Sequence, residues 1–141
     1  MGFPLGSQEL ANECWRRQEE DPKFQEKLKG LTVKFLFLCL DCPGNEDRQL
    51  ALDIDDGRFL EIIVARKPAP SDLRTAPVDH TKYDFRGQGE EKTFIDLING
   101  KIDLIQTLSL VKIEGDFSLV ITKAAGFMAF IDFLKTMDIE P

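Results

Sequence analysis

Two cysteines stand three residues apart, Cys39 and Cys42 in Cys-Leu-Asp-Cys, a spacing that serves metal ligation or thiol–disulfide exchange. A zinc site needs about four ligands, and the only histidine, His80, lies far along the chain. A redox pair of the thioredoxin kind would open a helix, whereas this one closes a strand-like run ahead of Pro43-Gly44. One buried cysteine and one turn cysteine, packed as small hydrophobes, is the simpler reading, with thiol chemistry at the pair as the weaker idea. His80 is flanked by Asp79 and Thr81, and the sequence places no partner that would make it a base for a nucleophile. Asp53, Asp55 and Asp56 lack the spacing and terminal Glu of a calcium loop and read as a solvated turn. Gly87-Gln88-Gly89 reads as a short loop without a phosphate-binding fingerprint, and Glu90-Glu91 as the start of a helix. No catalytic set, metal or cofactor is expected, and the protein is not expected to be an enzyme.

Eighteen basic against twenty-five acidic residues leave a formal net charge of −7. That argues against nucleic acid as a partner and against a mainly electrostatic grip on anionic membranes. Hydrophobic residues make up 43% of the 141 positions, enough for one domain over residues 1–141 that buries roughly two-thirds of its unfolded surface. No uncharged stretch approaches the ~20 residues of a membrane-spanning helix. The run Met1–Ser7 lacks the basic start and apolar centre of a secretory signal. The odd count of cysteines, completed by Cys14, suits a reducing compartment. A soluble, cytoplasmic protein is expected.

The patterning predicts the elements that carry these groups. Ser7 caps a helix bearing Leu10, Cys14 and Trp15, and Asp21-Pro22 opens a second with Phe24 and Leu28 on its apolar side, ended by Gly30. From Leu31 the period becomes two: Leu31, Val33, Phe35 and Phe37 share a face, then Leu50, Leu52 and Ile54 on a second strand. Asp55-Asp56-Gly57 signals a hairpin returning along Phe59–Ala65, so an antiparallel meander is expected. Pro68, Pro70 and Pro77 mark a surface connection, and Val78–Arg86 reads as a fourth strand with Tyr83 and Phe85 alternating. Helices follow on either side of a last strand over Leu110, Val111 and Ile113. Their signals are Asn99-Gly100 as a C-cap, Asp103 with Gln106 as a capping box, Asp116 as an N-cap, and Gly126 as a kink before the final apolar segment, Phe127–Leu134.

This C-terminal third carries more apolar surface than a thin domain needs. Phe94, Leu97 and Ile98 lie on one helix, Leu104, Ile105 and Leu108 on the next, and Phe117, Val120 and Ile121 on a third. The last presents Phe127, Phe130, Ile131 and Leu134 on one face, widened by Met128 and Phe133. Eleven Phe against one Tyr and one Trp skew the aromatics toward purely apolar lining. A helical layer of this kind over a sheet could enclose a cavity. Tight packing plus an oligomer interface would explain the same stripe.

The run Thr93-Phe-Ile-Asp-Leu-Ile-Asn-Gly-Lys-Ile-Asp103, followed by Leu110-Val-Lys-Ile-Glu-Gly-Asp116, resembles the signature stretch of sterol carrier protein type 2 domains. Lys101 and Gly115 stand where that pattern wants them, and the order of elements agrees over about residues 20–135. Leu104 stands where the family often has Pro, and Leu108-Ser109 where Phe and Gly are common. The resemblance implies an α+β fold: a five-stranded, mostly antiparallel sheet covered by helices, with a hydrophobic tunnel between sheet and C-terminal helices. It implies non-enzymatic binding, and transfer, of fatty acid, acyl-CoA, sterol or phospholipid. The thirteen helical residues named from Phe94 to Leu134, leaving out Met128 and Phe133, would then form the lipid-binding lining. Transient contact with a membrane, through the C-terminal segment, is part of that picture. The alternative is a dimerisation or accessory module acting with an enzyme, its cavity filled by its own side chains and its partner a second copy or another subunit.

Overall fold

The computed structural model describes residues 2–140. After a short strand β1 (Phe3–Pro4), the Ser7 hydroxyl accepts a hydrogen bond from the Leu10 amide at 3.1 Å and starts α1 (Gln8–Glu20). Asp21 caps the Lys23 amide at 3.0 Å, with Pro22 in the first turn of α2 (Pro22–Leu28). Three strands then form the expected meander: β2 (Val33–Cys42), β3 (Glu46–Asp55) and β4 (Arg58–Pro68). The β3–β4 turn needs two left-handed residues, and Asp56 and Gly57 supply φ of 48° and 81°. A Cβ on Gly57 would also lie 2.5 Å from the Leu28 carbonyl carbon, so the turn fits only as glycine against the end of α2.

The sheet is completed by β5 (Phe85–Glu90) and β6 (Lys112–Gly115), in the order β4-β3-β2-β5-β6. Within it only β2 and β5 run parallel; the other three pairings are antiparallel. The helices α3 (Glu91–Ile98), α4 (Leu104–Leu110), α5 (Phe117–Thr122) and α6 (Ala124–Lys135) follow, and β7 (Ile139–Glu140) pairs in parallel with β1. No helix among the described residues is long and apolar enough to cross a membrane.

Alternation along the strands divides the two faces. Val33, Phe35 and Cys39 of β2, Leu50, Leu52 and Ile54 of β3 and Phe85 of β5 are buried in one core with Phe94, Phe127 and Phe130 from the helices. Leu36 and Leu38 point the other way and are buried too. The connection from β4 to β5 runs along this outer face as a strap with a short 3-10 turn at Asp72–Arg74 and a buried Leu73, held by Asp47 of β3 and Arg86 of β5. Arg86, only 2% exposed, reaches up from the outer face to the carbonyls of Leu73 and Ala76 at 3.0 and 2.8 Å and pairs with Glu114 at 2.7 Å. The strap and the helices therefore lie on opposite sides of the sheet.

Four local expectations change. The fourth strand begins at Phe85 and not at Val78, because Asp79 folds the chain into a turn whose carbonyl accepts from Lys82 and Tyr83 at 3.0 and 2.9 Å. Gly87-Gln88-Gly89 is strand, not loop, since β2 offers a parallel partner through Leu40. The last strand starts at Lys112, as the capping box carries α4 through Leu110. Gly126 lies inside α6 and the break falls at Lys123; a Cβ at Gly126 would come within 2.9 Å of Leu31, so the glycine serves close approach instead of a kink.

Candidate apolar binding site

Between the inner face of the sheet and the C-terminal helices lies a cavity of about 80 Å³. Its floor is Phe35 and Phe37 of β2, Phe85 and Gly87 of β5, and Ile113 of β6. Phe35 and Phe85 are parallel neighbours in the register and stack at 5.4 Å, with Phe127 edge-on to both at 5.5 and 5.8 Å. The wall on one side is Phe94 and Leu97 of α3, with Phe94 against Phe37 at 4.2 Å. Leu104, Thr107 and Leu108 of α4 and Val111 beyond it close another side. Val120 of α5 and Phe127, Phe130, Ile131 and Leu134 of α6 line the remaining side.

Nine of the thirteen residues singled out in the sequence therefore face this space. Ile98 is buried in the adjoining core, while Ile105, Phe117 and Ile121 are 77%, 48% and 54% exposed and point away from it. The floor residues were missed. Phe35, Phe37 and Phe85 read simply as strand core, but Gly87 carried a usable signal: a glycine within a strand marks close approach or open space above the backbone. At Gly87 the nearest atom to an added Cβ is Ile113 Cδ1 at 3.7 Å, so the missing side chain is part of the void.

The cavity wall exposes only apolar atoms. Its one polar side chain, Thr107, is 3% exposed and donates its hydroxyl to the Asp103 carbonyl at 2.8 Å, within its own helix. Among the described residues no group of His, Cys, Asp or Glu is placed to hold a metal ion. The cysteine pair is shielded from solvent. Both Cys39 and Cys42 are buried, with Cys42 inside β2 and not in a turn as expected, and the Cys42 thiol faces the Cys39 carbonyl at 3.5 Å. Burial, then the neighbouring Cys42 and Glu91, push the Cys39 thiol well above its ordinary value, and burial takes Cys14 up to about 12. The thiolate that exchange requires is thus strongly disfavoured at Cys39 and at Cys14.

Glu91, in the first turn of α3, is a buried carboxylate with one oxygen lacking any hydrogen-bond partner. Burial raises its protonation range above the ordinary one, opposed in part by the Cys42 thiol and the Arg48 charge. A carboxyl raised in the folded state contributes stability below its unfolded value of about 4.3, and that contribution is lost as pH rises through the folded value. Glu91→Gln should therefore stabilise the protein by about 1–2 kcal/mol at pH 8 and by much less at pH 4. Urea unfolding at the two pH values tests this; equal effects at both would contradict it.

Neither a family model nor a curated protein sequence matches the chain. Solved structures do match. A conserved hypothetical protein from Thermus thermophilus, put forward as a sterol carrier protein, superposes with a TM-score of 0.71 at 13% identity, covering 99% of this chain and 94% of that one. A crystal structure of sterol carrier protein 2 superposes with a TM-score of 0.63 at 14% identity, covering 95% and 97%. At these identities the likeness concerns architecture: the five-stranded sheet, its helical cover and their order. The chain has the sterol carrier protein type 2 fold.

Proposed function

We propose that the protein binds the hydrocarbon part of a lipid between its sheet and its C-terminal helices, without covalent chemistry. The observation that carries this reading is a cavity whose every wall presents carbon, on the fold of known sterol carriers. Each buried CH₂ of a ligand stabilises the complex by about 0.8 kcal/mol. With no polar group aimed inward, affinity follows chain length more than head-group identity, and fatty acid, acyl-CoA, sterol and phospholipid are all candidates.

The space of about 80 Å³ is well below the roughly 300–1,000 Å³ of ligand pockets in general. Uptake therefore requires the cover to yield. The pieces suited to yield are α4 and α5, of seven and six residues, because helices shorter than ~12–15 residues hold their shape only through packing. Ile105 on α4 and Phe117 and Ile121 on α5 face outward from this cover, which suits contact with a membrane during transfer.

Gly87→Val tests the reading, because it fills the void from a floor position with room for a Cβ and a β-favouring backbone. Titration with a fluorescent fatty acid should show saturable binding by the natural protein and at least about tenfold weaker binding by the variant. The variant's melting temperature should be equal or higher. Equal affinity for both proteins would exclude the cavity as the site.

The small volume favours a second reading, an accessory or dimerisation module whose own side chains occupy the site. Native mass spectrometry of protein purified from cells separates the two. A co-purifying lipid supports the carrier, and a ligand-free dimer supports the module.

A further inference from the structure

A second cleft, of about 370 Å³, opens at the end of the sheet where β2 begins. It is built from three separate segments. Lys34 comes from β2, His80, Thr81, Lys82 and Tyr83 from the turn at the end of the strap, and Leu119 and Lys123 from α5 and its C-cap. Three lysines and the only histidine of the chain thus meet in one place on a protein of formal net charge −7.

Three carboxylates stand nearby and keep their charge. Asp84, the one acidic residue lining the cleft, accepts the Lys34 amide at 3.0 Å. Asp79 beside it accepts the Thr81 amide and hydroxyl at 3.0 and 2.6 Å, although it lies close enough to feel the charges of Lys82 and His80. Asp53 faces Lys34 across the β2–β3 register. Even so, the ion pairs among the described residues include none of Lys34, Lys82 and Lys123. Lys123 donates to the Thr32 carbonyl, which fixes its ammonium at the rim and leaves it further donors.

We propose that this cleft binds a phosphate group carrying two or more negative charges, held by Lys34, Lys82 and Lys123 with His80 and the Thr81 hydroxyl beside them. Several unpaired ammonium groups converging on a concave surface favour a compact polyanion, since ammonium acts as a strong point charge toward phosphate oxygens. The tyrosine ring and Leu119 give the walls some apolar surface for whatever carries the phosphate. The inference is independent of the apolar cavity: the two linings share no residue.

Calorimetric titration of the full chain with inorganic pyrophosphate is the direct test. Saturable 1:1 binding that weakens with added salt is expected, with no effect of Lys92→Ala, an exposed lysine elsewhere. Lys34→Ala and Lys82→Ala should each weaken it by about tenfold, the loss of one charge-assisted bond. Both are exposed positions, and an unchanged melting temperature would verify that the variants fold. Absence of saturable binding, or equal affinity in the lysine variants and the natural protein, would overturn the proposal. Flotation with phosphatidylcholine vesicles, with and without a lipid bearing a phosphomonoester head group, identifies the source. Recruitment by that lipid, competed by pyrophosphate, identifies a head group; pyrophosphate binding without recruitment identifies a soluble phosphate compound.

Discussion

Replacing Asp47 with alanine is expected to cost about 3–5 kcal/mol of stability, the penalty for breaking a buried charge pair from one side. Asp47 is fully buried on the outer face of β3 and joins the strap to the sheet. Its carboxylate accepts from the Ser71 amide at 3.0 Å, the Ser71 hydroxyl at 2.6 Å, the Arg74 guanidinium at 2.8 and 2.9 Å, and the Asp41 amide at 3.1 Å. Without it, Arg74 keeps only its 2.9 Å bond to the more exposed Asp41, and the strap around the buried Leu73 loses its anchor on β3. Burial alone would raise the Asp47 carboxyl. The Arg74 and Ser71 side chains and the two backbone amides outweigh that and hold it well below the ordinary carboxylate range. A carboxyl lowered in the folded state contributes stability above its unfolded value of about 3.9 and loses it as pH falls through the folded value. Denaturant unfolding between pH 7 and pH 2 should therefore show a shallower acid slope for Asp47→Ala than for the natural protein. Parallel slopes would mean that this network contributes little. Because the strap lies on the sheet face away from the cavity, fatty-acid uptake by the folded variant should remain unchanged.

Phe127→Ala should also cost about 3–5 kcal/mol, since it removes a large ring from a packed core. Phe127 is 8% exposed and closes an aromatic group with Phe35 and Phe85. Its loss enlarges the same space that the proposed ligand would enter. The variant should accordingly be less stable when empty but recover more stability than the natural protein when saturated with a long-chain alcohol, because binding to the native state alone raises stability with the logarithm of ligand concentration relative to Kd. Thermal melts with and without the alcohol measure both effects. A variant that gains no more from the alcohol than the natural protein would show that this space does not receive the chain. The pair Phe127→Ala and Gly87→Val thus moves the void in opposite directions from its roof and its floor.

The local grammar of the chain was legible at every one of four helix starts. Ser7, Asp21, Asp103 and Asp116 each cap the helix that follows them, and Asp56-Gly57 makes the predicted turn. Such devices act over three or four residues, so composition and spacing determine them. The meander was legible for a similar reason: two-residue alternation can be satisfied only by burying one face. Partial success came with the site. Most of the helical lining followed from apolar stripes, but a stripe does not say which of its members turn inward. Ile105, Phe117 and Ile121 belong to the same patterns as Leu108 and Val120 and end up exposed, while Leu108 and Val120 line the cavity.

What the sequence determined by itself is a set of capped helices, a strand meander and an apolar surplus, all consequences of bonds and periods a few residues long. Only tertiary structure decided that Gly87 and Gly89 pair alongside β2 and leave room above the backbone at Gly87, that a polar strap buries Asp47 and Arg86 on the far face, and that Lys34, His80, Lys82 and Lys123 meet. Those outcomes depend on partners far apart along the chain, as in the bond from Lys123 to Thr32. Contacts at that range are set by how the layers pack, which no local pattern encodes.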